Sequence, residues 1–149
     1  MQVADICTRR VMQATPSTLI VEAAKLMRQH QVGALVIVSA TGTPRPVGVL
    51  TDRDIAVNVV ACGKDPALTR VDDVMSRSVV TCRAEDSLFN VTRLMRGRGV
   101  RRIPVVDDEG LLAGIVSTED VTNGLAEQLV ALSRAVVYAP SHGNAAQGE

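Results

Sequence analysis

The sequence predicts an α/β fold of two pseudo-symmetric units of α-β-β-α type, each a small sheet covered by helices, packed sheet to sheet. Three observations lead there. The phrase Gly48-Val49-Leu50-Thr51-Asp52-Arg53-Asp54 returns as Gly114-Ile115-Val116-Ser117-Thr118-Glu119-Asp120. Upstream, Leu26-Met27-Arg28 is echoed 68 residues later by Leu94-Met95-Arg96, and Val32 against Val100 keeps that offset. Within each copy, apolar residues at helical spacing precede short aliphatic runs of strand length. Self-similarity at a fixed period marks one supersecondary unit made twice. A unit that short buries too little surface to hold a good core alone, so the two copies are expected to fold against each other.

The elements follow in order. Residues 3–7 form a short helical lead-in, and residues 10–14 an extended stretch that ends before Thr15-Pro16, because proline disfavours helix in its predecessor. Residues 18–30 read as an amphipathic helix, with Ile20, Ala23, Ala24 and Met27 on one side and Glu22, Lys25 and Arg28 on the other. His30 ends that helix, where a cation suits the dipole and capping explains it better than catalysis. Residues 34–39 are continuously aliphatic, as in a strand buried on both faces. A turn-rich loop over 41–46 leads to a second strand at 47–51, then to a helix over 52–62 carrying Ile55, Val57, Val59 and Val60.

Gly63 and Pro66 mark residues 63–70 as a linker between a first unit, 1–62, and a second, 71–126. The second unit repeats the plan: lead-in at 71–75, extended segment at 79–82, and a helix at 86–96 with Leu88, Val91 and Met95. A strand at 102–106, a tight turn at 107–110, a strand at 111–117 and a closing helix from 118 to about 136 complete it. Residues 127–149 form a helical extension and tail, of which 140–149 are small, polar and expected to be disordered.

Composition narrows the function. Lys+Arg and Asp+Glu balance at 16 each, so no bulk field draws the chain to nucleic acid or anionic membrane. One Phe, one Tyr and no Trp cannot build the stacking platforms of a single-strand binder. No apolar run approaches the ~18 residues of a membrane span, and Asp5, Arg9 and Arg10 interrupt any signal peptide, which points to a cytoplasmic protein. Cys7, Cys62 and Cys82 are odd in number and lack a C-x-x-C pair, as expected of reduced thiols rather than a disulfide or metal site. Only two histidines are present, His30 and His142, and no cysteine has a paired histidine, so no catalytic residues are assigned.

The repeated Thr/Ser-x-x-Asp stands where a strand ends and a helix begins. Two readings share that geometry: a capping box that satisfies the first helix amides, or a ligand site in which amides face a phosphate and the carboxylate accepts ribose hydroxyls. Both copies also keep a glycine three residues before the hydroxyl, as expected where a backbone turns or lies close to a ligand. Spacing alone does not decide between them.

With the Leu-Met helices and Val100-Arg101-Arg102-Ile103-Pro104-Val105-Val106-Asp107, these phrases resemble a tandem pair of cystathionine-β-synthase (CBS) domains, a Bateman module, over about residues 3–125. The likeness is to stand-alone bacterial CBS-pair proteins. It implies a regulatory module that binds adenosine-containing ligands (AMP, ADP, ATP, NAD or S-adenosylmethionine) in clefts between the copies and signals to a regulated protein, here unidentified. It implies no tightly bound cofactor and a homodimer paired through the helices.

By the same resemblance, Asp54 and Asp120 hold ribose hydroxyls, Thr51 and Ser117 contact phosphate or ribose, and Arg101 and Arg102 reach phosphate in the Asp54 cleft. Gly33 and Ala34 occupy the arginines' position in the first copy, so the Asp120 cleft is expected to lack a cation and to take a neutral adenosyl group or nothing. Arg53 is a phosphate contact or an exposed residue. Met12 and Ile37 are expected to wall the base in the first site, Val80 and Val105 in the second. The competing reading is an adaptor acting through protein contacts, with no exchangeable ligand; retention of the phrase in both copies favours the sensor. Against an enzyme, Asp54 and Asp120 lie on opposite copies and do not form a carboxylate pair.

Overall fold

The computed structural model describes residues 1–137; the tail expected at 140–149, with His142, lies outside them. Two three-stranded sheets carry four helices. The first sheet has β1 (Gln13–Ala14), β2 (Ala34–Val38) and β3 (Pro46–Thr51) in that order, with β1 parallel and β3 antiparallel to the central β2. The second repeats this with β4 (Cys82–Arg83), β5 (Arg102–Val106) and β6 (Leu112–Ser117). Every residue of β2 is buried, as its unbroken aliphatic run predicts.

α1 (Ile20–His30) and α3 (Leu88–Arg98) fill equivalent places, burying Ile20, Ala23 and Met27 in one core and Leu88, Val91 and Met95 in the other. Each is closed by a left-handed residue, Gln31 at φ 54° and Gly99 at φ 64°, whose amide returns to the last turn. The helix expected over 52–62 is not uniform. α2 (Asp52–Ile55) widens into a π turn over Ala56–Val60, which sinks Val59 into the core and leaves Val57 and Val60 outside. α4 (Thr118–Val137) closes the second copy, burying Val121 and Gly124.

The cores cross the chain's own repeat boundary. Val71, Val74 and Met75 pack into the first core with Leu35, Ile37 and Leu50, while Val3 joins Ile103, Val105 and Val116 in the second. Backbone hydrogen bonds hold each lead-in to the opposite unit. Thr8 and Ile115 exchange two bonds of 2.9 Å, and Val49 and Ser76 exchange bonds of 3.1 and 3.0 Å. The lead-ins thus knit the two copies together and, through residues 8–12 and 76–80, bring chain from one copy beside the repeated phrase of the other.

Candidate ligand clefts

Each repeated phrase is first of all a capping box. Thr51 Oγ1 accepts from the Asp54 amide at 3.1 Å, and Asp54 Oδ2 accepts from the Thr51 amide at 2.9 Å. Ser117 and Asp120 repeat both bonds at 3.1 and 2.8 Å, and the Ser117 hydroxyl adds a third to Asp120 Oδ2 at 2.7 Å. The box and the ligand reading are compatible, because the recorded bonds engage one oxygen of each carboxylate. A carboxylate has about four lone-pair sites, so Oδ1 keeps full accepting capacity. The box fixes the carboxylate's rotamer, as a recognition residue needs.

Both phrases open into clefts that neither copy could form alone. The first, about 370 Å³, is headed by Thr51 and Asp54 and closed by Ser76, Ser78, Val80 and residues 99–102 of the second copy. The second, about 270 Å³, is headed by Ser117 and Asp120 and closed by Thr8, Arg10, Met12 and residues 31–34 of the first copy. The two are built alike, since Thr8, Arg10 and Met12 stand 68 residues before Ser76, Ser78 and Val80.

Arg53, Arg101 and Arg102 line the first cleft together with Thr51 and Asp54, and Arg53 is exposed there. The arginines differ in availability. Arg101 donates to Glu119 Oε1 at 3.2 Å, whereas Arg102 makes no ion pair among the described residues. Glu119's own backbone amide is the main cause that holds its carboxyl below the ordinary value.

Three expectations about the clefts need correction. Met12 lines the Asp120 cleft and Val80 the Asp54 cleft, the reverse of their assignment, because each lead-in crosses to the other copy's sheet. Ile37 and Val105 line neither cleft; they are fully buried, facing the helix-covered cores. The Asp120 cleft also does not lack cations, since Arg10 and Arg102 both line it. Gly33 and Ala34 bring no charge, but position 10 does, where the second copy has Ser78. The repeat offset that aligns Leu26 with Leu94 also aligns Arg10 with Ser78; only the crossing showed that this pair faces the clefts.

The glycines of the repeat have a structural cause. A β-carbon on Gly48 would stand 2.5 Å from Met75 Sδ and 3.1 Å from Ser76 O; one on Gly114 would stand 3.1 Å from Thr8 O. Neither glycine has a positive φ. They make room for the crossing lead-ins, not for a turn. Gln31, by contrast, holds a left-handed backbone without being glycine, and it borders the Asp120 cleft where the first cleft has Gly99.

Comparison with known proteins agrees with this architecture. A family model for the CBS domain matches residues 3–61 and again residues 71–127. The chain belongs to the CBS domain family, as a tandem pair. It is 41% identical over 119 residues to the CBS domain-containing protein YhcV of Bacillus subtilis, covering 80% of this chain and 81% of that one. It is 37% identical over 119 residues to the uncharacterized protein MK0525 of Methanopyrus kandleri, covering 80% of this chain but only 60% of that protein's length. Among solved structures, the CBS domain pair of protein MJ0100, in complex with 5'-methylthioadenosine and S-adenosyl-L-methionine, superimposes with a TM-score of 0.76 at 30% identity, over 86% of this chain and 98% of that one. No helix among the described residues is long and apolar enough to cross a membrane.

Proposed function

We propose that this CBS pair is a non-catalytic regulatory module that binds adenosine-containing ligands in its two clefts and conveys their occupancy to a partner protein. The pair of capping boxes carries the reading. Each positions a carboxylate with an oxygen to spare for ribose hydroxyls, in a cleft that also holds an arginine for phosphate. Val49, Val80 and Pro104 offer the base an apolar wall in the first cleft, and Met12 and Ile115 do so in the second. With no Trp and a single Phe and Tyr, that wall is aliphatic. The MJ0100 pair, bound to two adenosyl compounds, supports the ligand class. Because each cleft draws walls from both copies, a bound ligand bridges them, which links occupancy to the shape of the module.

Calorimetric titration with AMP and with S-adenosylmethionine tests the reading, comparing Asp54→Ala with Arg45→Ala. Arg45 lies outside both clefts, beside Gly110 of the β5–β6 turn. Loss of the carboxylate removes charge-assisted hydrogen bonds and lowers affinity roughly ten- to hundredfold, while Arg45→Ala leaves it unchanged. Equal curves for the two variants would remove the ribose assignment, and no binding of either ligand would remove the sensor reading.

A further inference from the structure

Arg102 belongs to both clefts. Its side chain lines the cleft of Thr51 and Asp54 and also that of Ser117 and Asp120. One terminal nitrogen, Nη2, stands 3.5 Å from the point a β-carbon on Gly33 would occupy, and Gly33 is itself a wall of the second cleft. The same point lies 3.1 Å from Asp52 Oδ2, so the missing side chain at Gly33 leaves room at this partition for the guanidinium and for the Asp52 carboxylate, which also lines the first cleft. Arg102 has no ion-pair partner among the described residues to hold it to either side. The position 68 residues earlier is Ala34, so the pseudo-two-fold arrangement supplies one such group, not two.

We propose that Arg102 is a phosphate contact shared by the two clefts, and that it makes them compete for phosphate-bearing ligands. The proposal rests on the nucleotide reading above. A guanidinium fork engages one phosphate bidentately. Once a nucleotide in one cleft has taken it, a second phosphate approaching the partition loses that partner. The local arginines, Arg101 in the first cleft and Arg10 in the second, still allow the second ligand to bind, only less tightly. A ligand without phosphate makes no demand on Arg102, so a nucleotide in one cleft and a neutral adenosyl group in the other coexist without penalty. The coupling is reciprocal: each phosphate weakens the other by the same factor.

The experiment is calorimetric titration of the full chain with AMP and, separately, adenosine. Asp120→Ala and Asp54→Ala each leave one cleft with its carboxylate and so report the affinities of the clefts taken singly. In the unaltered protein the second AMP is expected to bind about tenfold more weakly than the weaker single-cleft variant, the size of one lost charge-assisted contact. Adenosine should show no such deficit. Arg102→Ala, and Arg102→Gln should the alanine variant fold poorly by circular dichroism, should abolish the deficit for AMP while lowering the first affinity. A second AMP that binds as tightly as the single-cleft variants predict would overturn the shared contact and leave the nucleotide reading standing. A deficit that survives in Arg102→Ala would do the same. No AMP binding in any form would remove the nucleotide reading and this proposal with it.

Discussion

The sulfur of Met75 lies 2.5 Å from where a β-carbon on Gly48 would stand. The two residues come from different copies of the repeat, and the contact marks where the second lead-in crosses onto the first sheet. A methyl group added there must displace Met75 or the Ser76 carbonyl, both part of the packed junction.

Gly48→Ala is therefore expected to destabilise the fold by about 1–3 kcal/mol, the usual cost of overpacking a filled site. Urea denaturation checks it. Gly42→Ala is not a fair control, since Gly42 has φ 78°; Gly97→Ala is, because nothing stands within 4 Å of the added carbon and its φ is not positive. Equal midpoints for Gly48→Ala and Gly97→Ala would show that the lead-in does not pack as described.

On the function proposed above, Arg101 leaves Glu119 to serve a ligand phosphate fully. Both side chains are largely exposed, so their ion pair is worth at most about 1 kcal/mol. Glu119→Gln is expected to raise AMP affinity modestly, by no more than about fivefold, as Arg101 is released. Isothermal titration of the two proteins measures the change. A fall in affinity would mean instead that Glu119 holds Arg101 in its binding position.

Burial, with smaller effects of the Asp86 charge and of Cys7, pushes the Cys82 thiol from 9.0 up to about 12. The folded state thus retains a proton that the unfolded chain releases. This group has no effect on stability below about pH 9, and it lowers stability as pH rises from there toward 12. At pH 8, iodoacetamide should modify the exposed Cys62 first and spare Cys82 until denaturant is added. Peptide mass spectrometry reads the order, and equal rates at Cys62 and Cys82 would contradict the burial.

Leu125, Leu129, Leu132 and Val136 recur at four- and three-residue spacing along α4, each roughly half exposed or more. A stripe of that kind is costly on a monomer, and we expect it to be covered in a homodimer. Light scattering should return about twice 15.8 kDa, and Leu129→Glu should shift the mass toward 15.8 kDa. A single-chain mass for the unaltered protein at micromolar concentration would refute the dimer.

The elements of this fold were legible because their causes are local. The apolar spacing of residues 20–27 and the aliphatic run at 34–38 each specify one element, and duplication of both gave the two-unit plan. The capping pairs that head the two clefts were legible for the same reason, since Thr51 and Asp54, like Ser117 and Asp120, are three residues apart and meet within one helical turn. The π turn at Ala56–Val60 escaped, because a helical run of valines does not reveal that the core needs only Val59 from it. The opposite walls escaped as well. Met12 and Val80 changed places, and Arg10 entered the Asp120 cleft, because backbone hydrogen bonds pair each lead-in with the other copy's sheet. By itself the sequence determined which residues are repeated and what each turn of chain does locally. Only the tertiary structure decided which copy supplies each wall, since that depends on non-local packing across the repeat, which the spacing within one copy does not encode.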